Sequence, residues 1–157
     1  MSRSVARSQQ PQKLYIAYAE QDSRFRAELA LHLAPLQRQG EVIFWHDRLI
    51  LPGQDRESIT DSRLEESDII LLLVSPDLLA SDYVYEREVR RALELHLENR
   101  AIAIPILLRP SFWQRTPLSR LHPLPANSRA IKLWTDRDLA WLHVIEGIYS
   151  LVRQRRI

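Results

Sequence analysis

The chain has 157 residues, 45% apolar and 27% charged, with a formal net charge of +2, the profile of one ordinary globular domain with a core large enough to fold alone. So small a charge imposes no nucleic-acid footprint, although 20 of the 22 basic residues are arginine, a preference that suits phosphate contacts as well as codon bias and sets the pI near 9.2. No cysteine is present, which excludes disulfide and thiolate chemistry, and the longest apolar run is too short to span a bilayer.

Residues 1–12, MSRSVARSQQPQ, are polar and lack the apolar centre of a signal peptide. They are expected to form a disordered tail ahead of one domain over 13–157, with the cytoplasm as the default location. Residues 13–18 predict a first strand that ends in polar Glu20-Gln21-Asp22-Ser23. Asp22 or Ser23 can cap the helix that follows, where Phe25, Leu29, Leu33 and Leu36 recur at helical spacing. Gly40 ends that helix. Residues 42–45 predict a short second strand, and Pro52-Gly53 punctuates the loop 46–55. Residues 56–66 read as a helix whose apolar stripe, Ile59 and Leu64, is thin, so weak packing, mobility or completion by a partner is expected.

Residues 69–74 are an unbroken apolar run, expected as a fully buried third strand. Over 82–97 the period is helical, with Tyr85, Val89, Ala92, Leu93 and His96 on one stripe. Glu88 comes three residues after Tyr85 and four before Ala92, so it shares the inward face; Glu86 lies about 200° around the helix from it. An inward carboxylate beside the end of a buried strand is costly unless paired or used. Glu88 is therefore the leading functional residue, with an ion pair to a nearby arginine as the structural alternative.

Residues 101–108 predict a fourth strand in which Pro105 suggests an edge or an irregular end. Residues 109–129 carry four of the nine prolines and predict a long irregular connection. A short fifth strand over 130–134 and a final helix over 138–153, carrying Leu142, Ile145, Ile148 and Val152, complete the chain. Strands alternating with helices predict a parallel sheet covered on both faces. Functional groups then gather at the carboxyl ends of the strands, here 18–22, 45–55, 75–85 and 109–113.

Several chemistries are excluded. The three glycines, Gly40, Gly53 and Gly147, form neither a dinucleotide fingerprint nor a P-loop. The five histidines have no metal-ligand spacing and read as surface or packing residues, so no metal is expected. Ser75 and Ser81 lack a nucleophile-elbow setting, and capping or turn roles account for them. A receiver domain needs a phosphorylatable Asp after the third strand, where this chain has Ser75-Pro76.

Four segments in order carry a family resemblance. They are Leu14-Tyr15-Ile16-Ala17-Tyr18-Ala19-Glu20-Gln21-Asp22, Trp45-His46-Asp47-Arg48-Leu49-Ile50-Leu51-Pro52-Gly53, Ser67 to Pro76 leading into Ser81-Asp82-Tyr83 and Glu88, and Ile104-Pro105-Ile106-Leu107-Leu108-Arg109-Pro110. Together, over about 13–153, they resemble a bacterial Toll/interleukin-1 receptor (TIR) domain. The resemblance implies a flavodoxin-like three-layer α/β sandwich with a five-stranded parallel sheet, and a loop 46–55 that mediates assembly and gates the site. It also implies cleavage of NAD⁺ at the nicotinamide–ribose bond, giving ADP-ribose or a cyclic form, in a defence or signalling role activated by self-association. NAD⁺ is then substrate, with no further cofactor, and the partners are other TIR domains meeting residues 46–66, without nucleic acid or membrane.

Glu88 matches the family's catalytic glutamate. The family's Ser at the end of strand one is Ala17 here, and its Trp four residues before the glutamate is Val84, flanked by Tyr83 and Tyr85. A substrate ring needs an aromatic face, available from Tyr18, Trp45, Tyr83 or Tyr85, while Arg48 and Arg56 are placed to meet diphosphate. Asp47 and Ser81 complete the expected substrate-binding set. Trp45 equally suits a core position, and Arg56 a solvated one. The alternative function is a non-catalytic interaction module that assembles with other TIR domains, which the changes at Ala17 and Val84 favour.

Overall fold

The structure, a computed structural model, describes residues 10–156. Residues 1–9 of the expected tail lie outside the described residues, and Gln12 already opens the first strand. Four strands, β1 (Gln12–Ala17), β2 (Val42–Trp45), β3 (Ile69–Val74) and β4 (Ile102–Leu107), form one parallel sheet in the order β2-β1-β3-β4. Every residue of β3 is buried. It is a central strand covered on both faces, which is why its sequence is an unbroken apolar run rather than an alternating one.

Side-chain alternation along the strands sorts the core into two halves. Leu14, Ile16, Leu71 and Ile106 point to one face, where they meet Leu29 and Leu33 of α1 (Ser23–Arg38) and Trp141, Val144 and Ile148 of the last helix, α5 (Arg137–Arg156). Tyr15, Ala17, Ile70 and Leu72 point to the other face. There they meet Leu64 of α2 (Arg56–Glu66) and Val89, Ala92 and Leu95 of the helix over 82–97. The short α3 (Pro76–Ala80) links β3 to α4, which runs through Asp82–Val84, Tyr85–Val89 and Arg90–Leu97 as one continuous helix. The result is the expected helix–sheet–helix sandwich. Among the described residues no helix is long and apolar enough to cross a membrane.

The fifth strand is a correction. Residues 130–134 hold a 3-10 turn, Ile131–Leu133, with Ile131 fully buried. The outer edge of β4 explains why. The Ile102 N–H donates to the Asp68 carbonyl just before β3 and the Leu108 N–H to the Val74 carbonyl at its end, so residues 103, 105 and 107 face outward. Ala103 N–H goes to His96 Nδ1 at 3.1 Å, Pro105 has no N–H, and Leu107 N–H donates to the Leu124 carbonyl at 2.9 Å. One donor is missing and the others are used, so a full ladder cannot form; Leu124 makes a single parallel bridge with Ile106 instead. Pro105 marks an edge strand, as its position suggested.

Two helical stripes also differ in detail. On α5 the buried residues are Ala140, Trp141, Val144, Ile148 and Val152, and Leu142 faces outward, because the large indole of Trp141 sets the phase of the packed face. On α2, Thr60 and Leu64 are buried while Ile59 is half-covered.

Candidate functional site

The order of connection reverses between β1 and β3, and at such a switch point the strands' carboxyl ends leave a crevice. A cleft of about 420 Å³ lies there. The exit of β1 contributes Tyr18, Glu20, Gln21 and Ser23 to its wall, and the connection after β2 contributes Asp47, Arg48 and Arg56. Ser81, Tyr83 and Val84, from the start of α4, form the third side. Ser81 caps that helix through its hydroxyl, which accepts from the Val84 N–H at 3.2 Å.

Asp47 is the centre of the polar wall. The Tyr18 hydroxyl donates to its Oδ1 at 2.8 Å and Arg56 Nη2 donates to its Oδ2 at 3.2 Å. The Tyr18 phenol is pushed up to about 12, first by burial and then by this bond and the Asp47 charge. The Arg56 guanidinium lies over the Tyr83 ring, 5.0 Å from its centroid, and the buried Tyr83 hydroxyl has no hydrogen-bond partner among the described residues.

Glu88 sits behind this wall rather than on it. It is 6% exposed and accepts a hydrogen bond from the Tyr15 hydroxyl at 2.5 Å. Its carboxyl is pushed up to about 7, chiefly by burial. The Tyr15 bond opposes that rise, the Asp47 charge adds to it, and Arg56 and Arg87 oppose it. Asp47 and Arg56 are wall residues, so the cleft's own charges tune the acid behind it. The expected alternative, a direct ion pair to arginine, is not formed among the described residues. Burial also raises the Tyr15 phenol strongly, with Glu88 the next cause, so Tyr15 remains a donor at any ordinary pH.

Local helix geometry helps place Glu88. Tyr85–Val89 is a π turn, in which the Arg90 N–H reaches back to the Tyr85 carbonyl. The extra residue in that turn lets Val84, Glu88 and Val89 all point inward, and such turns recur at functional sites.

Of the residues expected to bind substrate, the fold brings Tyr18, Asp47, Arg48, Ser81 and Tyr83 to one cleft, together with Arg56. Trp45 and Tyr85 lie elsewhere. Trp45 packs on Tyr15, ring centroids 5.3 Å apart, and Tyr85 lies against the α2–α4 core. Ala17 is fully buried in that same core, so the departure at this position falls away from the cleft wall, whereas Val84 is on it.

The sequence did not disclose a buried clamp beside the cleft. Asp22 is the N-cap residue of α1 by position, but its carboxylate does not cap the helix. It accepts instead from the Ser75 hydroxyl and from Arg109 Nε, the latter at 2.9 Å, while Arg109 Nη2 bonds Asp77. The exits of β1, β3 and β4 are thereby tied at one point, and Ser23 is left to bond the Glu20 carbonyl at 2.6 Å. The signal available was the polar group at the end of β1; its partners lie 53 and 87 residues away. His46 is a packing residue, edge-on to Tyr18 at 6.2 Å, its proton affinity lowered by burial and then by Arg26.

Comparison with known proteins agrees with this architecture. The TIR-domain family model matches residues 14–142. The uncharacterized protein y4lF of Sinorhizobium fredii (strain NBRC 101917 / NGR234) is 40% identical over 135 residues, 86% of this chain. The match spans 42% of that relative's length. Among solved structures, the TIR domains of the activated Roq1 resistosome, which directly recognises the pathogen effector XopQ, superpose with a TM-score of 0.63 at 13% identity, covering 87% of this chain and 99% of that one. The TIR domain of the Toll-related receptor TRR-2 of Hydra magnipapillata gives a TM-score of 0.57 at 19% identity, covering 89% and 97%. With the family match running from β1 into α5, over a parallel sheet whose cleft opens at its switch point, the chain belongs to the TIR-domain family.

Proposed function

We propose that this TIR domain is an NAD⁺ glycohydrolase that releases nicotinamide and leaves ADP-ribose or its cyclic form. The observation that carries this reading is Glu88, a buried carboxylate with a raised proton affinity, behind a cleft wall of aromatic, acidic and basic groups. NAD⁺ carries its leaving group as a cationic pyridinium, so nicotinamide departs neutral and needs no general acid. The paired carboxylates of ordinary glycosidases are then unnecessary. One carboxylate behind the cleft wall can steady the oxocarbenium-like transition state electrostatically. In this reading Ser81 binds a sugar hydroxyl, the Tyr83 ring faces the nicotinamide with the Asp47 carboxylate beside it, and Arg48 meets diphosphate. NAD⁺ is consumed as substrate, and no other cofactor enters.

Self-association belongs to the same reading. Between the cleft and α2, the loop 46–55 exposes Leu49 and Leu51 at 49% and 64%, apolar surface that contact with another TIR domain can cover. A cytoplasmic setting, with NAD⁺ and other TIR domains as partners, fits this role.

The test is to incubate concentrated purified protein with NAD⁺ and follow nicotinamide release. Glu88→Gln is expected to lower the rate by at least a hundredfold, the scale of losing one preorganised electrostatic stabiliser. Undiminished release from this variant removes Glu88 from the mechanism. A silent parent protein under assembling conditions leaves an interaction module as the better account.

A further inference from the structure

We infer that Arg56 is an internal competitor: its guanidinium occupies the place, between the Tyr83 ring and the Asp47 carboxylate, that a flat cationic ring of the ligand must take. The inference rests on the NAD⁺ reading for the ligand's identity, but its geometry stands apart from catalysis. The guanidinium is itself a flat cation, lying 5.0 Å from the Tyr83 centroid and bonded to Asp47 at 3.2 Å. An aromatic face attracts a cation, and a carboxylate alongside balances its charge. A neutral ring gains neither attraction. The pair therefore selects for charge as well as flatness, and a pyridinium meets both demands.

What stays and what moves is also set. Asp47 is held independently by the Tyr18 hydroxyl at 2.8 Å, so the carboxylate keeps its place when the guanidinium leaves. The Arg56 side chain is 58% exposed and sits in the first turn of α2, free to swing toward water. Arg87, the other guanidinium near the Tyr83 ring at 5.9 Å, is fixed by Asp61 at 3.0 Å and Glu57 at 3.7 Å. Arg56 is thus the exchangeable cation and Arg87 the resident one. This reverses the expectation that Arg56 meets diphosphate. A phosphate ligand loses affinity when Arg56 is removed; a displaced competitor lets affinity rise.

The probe is 1-methylnicotinamide, a permanently cationic ring, titrated calorimetrically against neutral nicotinamide. Arg56→Gln is expected to bind the cation roughly 2- to 5-fold more tightly than the parent, the scale of one exposed cation–π contact, with neutral nicotinamide unchanged. Arg56→Lys keeps a competing cation and is expected to bind like the parent, which separates loss of charge from loosening of the loop. Tyr83→Leu is expected to lose the preference for the cation. Equal or weaker cation binding by Arg56→Gln, or no binding by any variant, overturns the inference. NAD⁺ turnover is read in parallel. Cation binding that follows these expectations without nicotinamide release sinks the hydrolase reading and leaves the competitor standing. Turnover with cation binding indifferent to Arg56 does the opposite.

Discussion

Burial gives Glu88 its unusual proton affinity, and that affinity makes a stability statement. In the unfolded chain a Glu carboxyl ionises near 4.5, whereas in the folded protein this one is pushed up to about 7, with burial as the largest cause. Between those values the folded state holds the extra proton, so stability falls as pH rises from about 4.5 to about 7 and is level above that. Gln at this position is neutral at every pH, and its carbonyl still accepts from Tyr15. Glu88→Gln is therefore expected to be more stable than the parent by on the order of 3 kcal/mol at pH 8, with no such gain at pH 4. Urea unfolding at the two pH values checks this, and an equal change at both excludes ionisation as the cause. At this scale the sequence was informative where a property is local. Helical spacing put Glu88 on the inward face of its helix, and Tyr18 and Asp47 follow closely on strand ends. Its partner Tyr15 is 73 residues away, and no spacing rule connects them.

At the scale of elements, α2 resolves a contradiction in its own composition. It buries Thr60 and Leu64, too little apolar surface to hold a helix firmly, yet ion pairs join it to α4. Arginines make up the difference. Arg87 meets Asp61 at 3.0 Å, Arg91 meets Glu65 at 2.7 Å, and Arg100 meets Glu65 at 3.2 Å. Exposed pairs of this kind are individually weak, about 0–1 kcal/mol, and are screened by salt. Raising sodium chloride to about 1 M, where the screening length falls to about 3 Å, is expected to speed amide hydrogen exchange in α2 while β3 stays protected. Equal protection of α2 at low and high salt shows that its apolar contacts suffice. The thin stripe was legible in the sequence, but the ion pairs were not, because charge patterns do not say which helix lies opposite. The missing fifth strand has the same origin: an apolar run of β-prone residues says nothing about whether a sheet edge still has donors to offer.

For the whole molecule, a net charge of +2 offers little self-repulsion against association, and Leu49 and Leu51 project from the loop joining β2 to α2. If assembly completes the active state, nicotinamide released per unit protein is expected to rise with protein concentration. Pro52→His, placed in that loop and away from the cleft wall, is then expected to lower oligomer content and specific activity together. Light scattering and activity over one concentration series provide the check; specific activity constant over a hundredfold range rules out activation by assembly.

The sequence by itself determined the class of fold, the buried central strand, the edge character of β4 and the rim on which the site is built. Each of these follows from unbroken apolar runs, from a period of 3.6 residues, or from a proline, within short stretches of chain. Tertiary structure alone decided that Tyr15 bonds Glu88, that Asp22 clamps Ser75 and Arg109 instead of capping α1, that Arg56 rests on Tyr83, and that the sheet stops at four strands. These depend on strand register, on a π turn within α4, and on which backbone donors remain free once neighbouring strands have paired. Such quantities do not exist until distant segments of the chain have met.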